Sequence, residues 1–191
     1  PLVTPITRLA NATLPRHSMP ESTSLSALDP DALDHPPLAL ACAQRELLRM
    51  SETVQAILLS VMHLFRDWDP EQARMIERRE DEIDRMHFET KIYVSRLRET
   101  NIKPEQDKKT LEIVAMANSL EEAADRIAVN LVGLAKKMSD EAITFSDEGL
   151  ADIAHFHDQI VTNGQLALEK HNTFRNDYEV VVAASPAAGL A

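Results

Sequence analysis

From about residue 38 onward, apolar side chains recur at every third or fourth position, the period of one face of an α-helix. Leu47, Val54, Ile57, Leu58, Val61, Met62 and Phe65 form the first such stripe. Pro36 and Pro37 suit a helix start, so a first helix is predicted over about 38 to 67. Asp69 and Gln72 bracket Pro70 as a capping box, which starts a second helix directly after Trp68 and carries it to about Thr100. After the punctuation "NIKPEQ", a third stripe runs through Ile113, Leu120, Ala124, Ile127, Leu131, Leu134 and Met138. Thr144 or Ser146 can cap a fourth helix, carried by Leu150, Ile153, His157, Ile160, Ala167 and Phe174. Long helices joined by short turns run antiparallel and bury their stripes against one another, so the expected fold is all-α, an antiparallel up-down bundle. No internal repeat is evident, which removes a solenoid.

Ahead of these stripes, seven of the ten prolines fall within the first 37 residues, in a stretch rich in Ser and Thr that cannot propagate a helix. The expected organisation is a linker or arm over 1–37, the bundle over 38–180 and a frayed tail over 181–191. Composition agrees with helices: aromatic content is 4% and Gly is scarce, while Ala, Leu, Glu and Asp are plentiful. A net charge of -11 disfavours nucleic acid and anionic lipid as partners and favours cations. The single Cys42 excludes an intrachain disulfide and fits a reducing compartment. No apolar run is long enough to span a bilayer. The chain opens on Pro, as an excised piece of a longer protein would.

Charge on the second and third helices breaks the pattern. On the second, Glu80, Ile83, Asp84 and His87 fall within about a third of the helix circumference. Glu80 and His87 interrupt a series, Ile76, Ile83, Val94 and Leu97, that has the spacing of a buried stripe. The third helix repeats the arrangement with Glu121 and Asp125, next to the small residues Ala117, Ala124 and Ala128, with Asn118 one turn upstream. Four carboxylates meeting between helices would repel one another and lose hydration, at about several kcal/mol per uncompensated ion, which predicts a bound cation. Carboxylates with a nearby imidazole suit Fe, Mn or Zn; carboxylates with water suit Mg or Ca. The competing reading is a solvated acidic face, with Arg78, Arg79, Arg85 and Arg126 nearby.

Two other classes fit parts of the pattern. "DRMH" and "DIAH" pair Asp84 with His87 and Asp152 with His155, as in ferritin-like di-metal proteins, with Glu52 and Glu122 to complete the set. A purely structural module would instead dock an exposed stripe on a partner or on a second copy. Chemistry of other kinds finds no support. Gly133, Gly149 and Gly164 are isolated, so no phosphate loop is present, and nothing resembles a Ser or Cys triad. Cys42 reads as a small core residue. His17 and His35 lie in the arm, His155 and His171 read as solvated, and His157 falls on a core stripe. The expectation is a protein that is not an enzyme.

"ERREDEIDRMHFE" and "SLEEAADRIAVNL" resemble the two ExxxD-type signatures of PhoU-like domains, and the likeness covers about residues 38 to 175. "LDPDALDHPPLALACAQRELLRM" resembles the junction ahead of the PhoU-like domain in bacterial sodium/phosphate cotransporters, and "PLVTPITRLANATLP" is similar to the chain leaving that family's last membrane helix. The resemblance implies a regulatory module at the cytoplasmic face of the inner membrane, joined in cis to the transporter's membrane portion and assembling with further copies, as a dimer for example. It implies one three-helix repeat plus a fourth helix, and metal binding by Glu80 and Asp84 from the first motif and Glu121 and Asp125 from the second. In the family an Asn follows the second motif by four residues; here Val129 takes that place and Asn130 comes one residue late.

Overall fold

The computed structural model describes the backbone of residues 26–183 and side chains as far as residue 164, together with Leu166. A short 3-10 turn, Pro30–Asp34, precedes α1 (Pro36–Leu64), α2 (Pro70–Arg98) and α3 (Pro104–Asp125). A π-helical turn, Arg126–Leu131, then leads without a break into α4 (Val132–Asp140), and α5 (Asp147–Ala183) follows. No strand occurs among the described residues, and the fold is the expected all-helical bundle. Residues 1–25 of the expected arm and 184–191 of the expected tail lie outside the described residues.

Each helix starts where local chemistry dictates. The Asp69 carboxylate accepts from the Glu71 N–H at 2.8 Å with Pro70 behind it, so α2 is capped as expected. The other half of the predicted capping box does not form. Gln72 donates instead to the Ser60 carbonyl of α1 at 3.0 Å, because the antiparallel neighbour offers its amide a nearer acceptor. Pro104 opens α3, where the Gln106 side chain accepts from the Lys103 N–H at 2.8 Å. Ser146 caps α5 by accepting from the Gly149 N–H at 3.1 Å. Between α4 and α5 the backbone reverses at Ala142, whose φ of 53° lies in the left-handed region that glycine usually fills.

Helix α1 is central: α2, α3 and α5 all pack against it, and α2 also packs against α3. The stripes predicted on α1 and α2 face the core, with Ile57, Val61, Ile76, Ile83, Val94 and Leu97 at 0–1% exposure and Val54, Leu58, Met62 and Phe65 partly buried. On the third rod the prediction holds at Ile127 and Met138 but fails between them. Leu134 is 47% exposed and Leu131 only partly covered, while Val132 and Ala135 are buried. The π-turn is the reason. It winds an additional residue into one turn, so everything after it is rotated by about one residue relative to an unbroken α-helix.

Candidate functional site

The buried stripe of α2 brings its flank against α3, and the two carboxylate motifs lie along this seam. His87 and Asn118 join across it, Nε2 to Oδ1 at 2.8 Å, and so fix the facing turns of α2 and α3. Glu80 and Glu121 are half-buried, whereas Asp84 and Asp125 are exposed at the rim. Burial pushes the Glu80 carboxyl above its ordinary range, and the charges of Asp84, Asp81, Asp125 and Glu121 push it further the same way. The seam thus gathers negative charge from both helices, as the sequence implied.

Among the described residues none of Glu80, Asp84, Glu121 and Asp125 forms an ion pair, and Arg126 turns away to Glu122, 2.6 Å from its carboxylate. Nor do the side chains form a finished ligand cage: among the described residues no three His, Cys, Asp or Glu stand close enough to share one ion. Below Glu80 opens a cleft of about 490 Å³ between α2 and the π-turn, with Glu77, Trp68, Arg74 and Lys136 on its walls. Gly133 leaves that wall open, since a Cβ there would meet nothing within 4 Å.

The rival constellation is not assembled. His87 is engaged with Asn118, and His155 bonds Gln159 on its own helix at 3.2 Å. Asp152 and His155 are exposed on α5, which packs on α1, whereas Asp84 and His87 lie along the α2–α3 seam. His157 is a satisfied, half-buried histidine, its Nε2 donating to the Leu58 carbonyl at 2.8 Å. Cys42 is buried, as expected for a small core residue.

The π-turn Arg126–Leu131 begins directly after Asp125 and contains Asn130. In a turn closed by i to i+5 bonds, the residue five positions on occupies the place held by i+4 in an α-helix. Asn130 is therefore in register below Asp125 despite being one residue late. Residues 47–132 match the PhoU domain. The chain contains a PhoU domain. It is 33% identical over 144 residues to a Salmonella typhimurium protein named "Putative inorganic phosphate export protein YjbB", and 31% identical to the Escherichia coli K12 protein of that name. These alignments cover 74% of this chain and 26% of each relative, so the chain spans about a quarter of the curated proteins it matches. No solved structure matches it. No helix among the described residues is long and apolar enough to cross a membrane.

Sequence reading missed two features near the PhoU domain. Glu46 is wholly buried, and its only trace in the sequence is a lone acid within the apolar run "LALACAQRELLRM". The π-turn left one signal, the late Asn130.

Proposed function

We propose that this chain is the regulatory helical module of a phosphate transporter of the sodium/phosphate cotransporter type. It is joined in cis to the membrane portion, sits at the cytoplasmic face of the bacterial inner membrane, and modulates phosphate movement without catalysing a reaction. The PhoU domain and the kinship with YjbB, a protein named for inorganic phosphate export, support this reading. The observation that carries the mechanism is the uncompensated charge between α2 and α3, centred on the half-buried Glu80.

Glu80, Asp84, Glu121 and Asp125 are oxygen donors on facing helices, a set whose chemistry fits Mg, Ca, Mn, Zn or Fe. An ion held there would supply positive charge and fix the register of the two helices. The two aspartates sit at the solvent rim, where side-chain rotation costs little, and their turning inward would complete the donor set. Elemental analysis and calorimetric titration test this directly. Asp84→Ala with Asp125→Ala should abolish uptake and lower Tm only when metal is present; equal loss with and without chelator would mean that the residues serve packing alone. The transport reading is tested in the full-length protein by phosphate flux, with and without sodium, for wild type and Glu80→Gln. Identical flux for the two proteins would refute it.

Association with a second copy belongs to the same reading. An apolar cleft of about 490 Å³ lies between α1, α3 and α5, walled by Val54, Leu58, Met116, Leu120, Ile160 and Val161. Light scattering across concentration tests it: a constant monomer mass would exclude self-association.

A further inference from the structure

The segment that leads into α1 is tied down by groups that the carboxylate seam does not use. Glu46 of α1 is 0% exposed, yet it is a carboxylate, a residue that is almost never fully buried without partners. Glu46 has such partners. Arg49 donates to both of its oxygens, at 3.0 and 2.8 Å, and the backbone N–H of Ala27 donates to Oε2 at 2.8 Å. From α2, the Tyr93 hydroxyl donates to the Asp29 carbonyl at 2.8 Å. Asp29 then caps the 3-10 turn by accepting from the Asp31 N–H, and Ala32 within that turn is buried in the core.

Residues 26–34 are thus fixed by three independent devices: a buried charge on α1, a phenol on α2 and a small apolar plug. Both polar ties reach backbone atoms of the entering segment, so they hold its path and not a particular side chain. Beneath them lies Cys42, 2% exposed, within hydrogen-bonding reach of the Asp29 backbone and the Tyr93 side chain.

We propose that residues 26–34 form a clasp that opens as a unit from the ends of α1 and α2, closed by Glu46 and Tyr93, and that it sets how firmly the bundle holds the chain preceding it. This deepens the transporter reading, on which it rests only in taking the preceding chain as the connection to a membrane portion. The clasp itself is a property of this chain. A burial of this kind, small in area and held by two polar contacts, is the sort of element that opens locally while the helices stay packed. With Glu46 neutral or Tyr93 without its hydroxyl, the entering chain would be released while α1 and α2 remain paired through Ile57, Ile76 and Ile83.

Cys42 is the only cysteine in the chain and so reports the opening. The experiment follows its reaction with a thiol reagent in the full chain, normalised to the rate in denaturant, together with hydrogen exchange of the peptide covering 26–34. Tyr93→Phe and Glu46→Gln should each speed labelling by about tenfold or more, as expected for loss of one well-placed hydrogen bond, and should raise exchange in 26–34 but not in α2. Wild-type labelling should not change at low urea, where local opening dominates. Should Glu46→Gln fail to fold, Tyr93→Phe, which removes only an oxygen, decides the matter. Unchanged labelling in a folded variant, or wild-type labelling that tracks global unfolding at every urea concentration, overturns the clasp. Neither outcome bears on phosphate flux, so failure here is distinguishable from failure of the transporter reading.

Discussion

Deleting Val129 should leave the bundle standing, although removing a residue from the middle of a long helix normally does not. Deletion within an α-helix rotates everything beyond it by about 100°. On the rod Pro104–Asp140 such a rotation would carry buried side chains into solvent. Deleting the exposed Ser119 illustrates the cost, since it turns Leu120, Ala124 and Ile127 away from α1 and α2. At about 1.5–3 kcal/mol for each buried large apolar side chain, the loss from Ile127 and Val132 is about 3–6 kcal/mol, a large part of a domain's whole stability.

Val129 stands in the π-turn and is 60% exposed, so its own removal sacrifices little burial. The turn already contains one residue more than an α-helix needs. Without it, Arg126–Leu131 can close as ordinary α-helix, and Val132 and Ala135 keep the core positions they now occupy. The expected change is within about 1 kcal/mol of wild type, roughly one hydrogen bond's worth. Urea unfolding followed by circular dichroism measures it, with the Ser119 deletion as comparison. Equal destabilisation by the two deletions would refute the account of the register shift. The same deletion brings Asn130 to four residues after Asp125, so a retained cation affinity would further support the shared register.

Other expectations are simpler. Glu80 has a folded-state pKa above its ordinary 4.5, so the native state takes up its proton first as pH falls. Stability should be fully present below that ordinary value and be lost as pH rises through the raised one, and Glu80→Gln should flatten this slope in metal-free thermal melts between acid and neutral pH; an unchanged slope would discount the like-charge crowding. Ala142→Gly should raise Tm by about 2–8 °C, since it relieves a left-handed backbone that costs a non-glycine residue about 1–2 kcal/mol; a lower Tm would mean the turn is not strained. Ile83→Ala, at 0% exposure beside the seam, should cost about 2–5 kcal/mol in urea unfolding, and a loss under about 1 kcal/mol would show the stripe to be loosely packed.

Much of this architecture is legible in the chain because helix periodicity and end signals are local. Pro36, Asp69, Pro104 and Ser146 each act within a turn or two of where they stand, and the helices start there. What could not be read depends on partners distant in sequence. Gln72 fits a capping box until an antiparallel α1 presents the Ser60 carbonyl. Glu46 is a lone acid in an apolar run whose partner, the Ala27 N–H, lies nineteen residues earlier and folds back on it. Leu134 fits its stripe until a π-turn, which no residue type in "RIAVNL" announces, rotates it outward. The four carboxylates were legible as a set, because ExxxD is itself a helical spacing. Their depth was not, because it depends on how closely two helices approach.

That depth changes the energetic argument for a cation. Had all four carboxylates been sealed between α2 and α3, several kcal/mol of desolvation for each would have required an ion for folding. The structure leaves Asp84 and Asp125 at the rim and only Glu80 and Glu121 half-covered. Near water, a like-charge pair about 4 Å apart repels by only about 1 kcal/mol. Against this, the stripe beneath the seam buries Ile76, Ile83 and Val94 on α2 and Ile113 on α3, each contributing about 1.5–3 kcal/mol. Packing wins, so the metal-free chain should be folded. Chelator should leave helix content unchanged and the melt cooperative, while a bound ion raises Tm with concentration, by about 2.7 kcal/mol of stability at a hundredfold excess over Kd. Unfolding on chelation would show that the ion is part of the fold and that the burial of Ile83 and its neighbours has been overvalued.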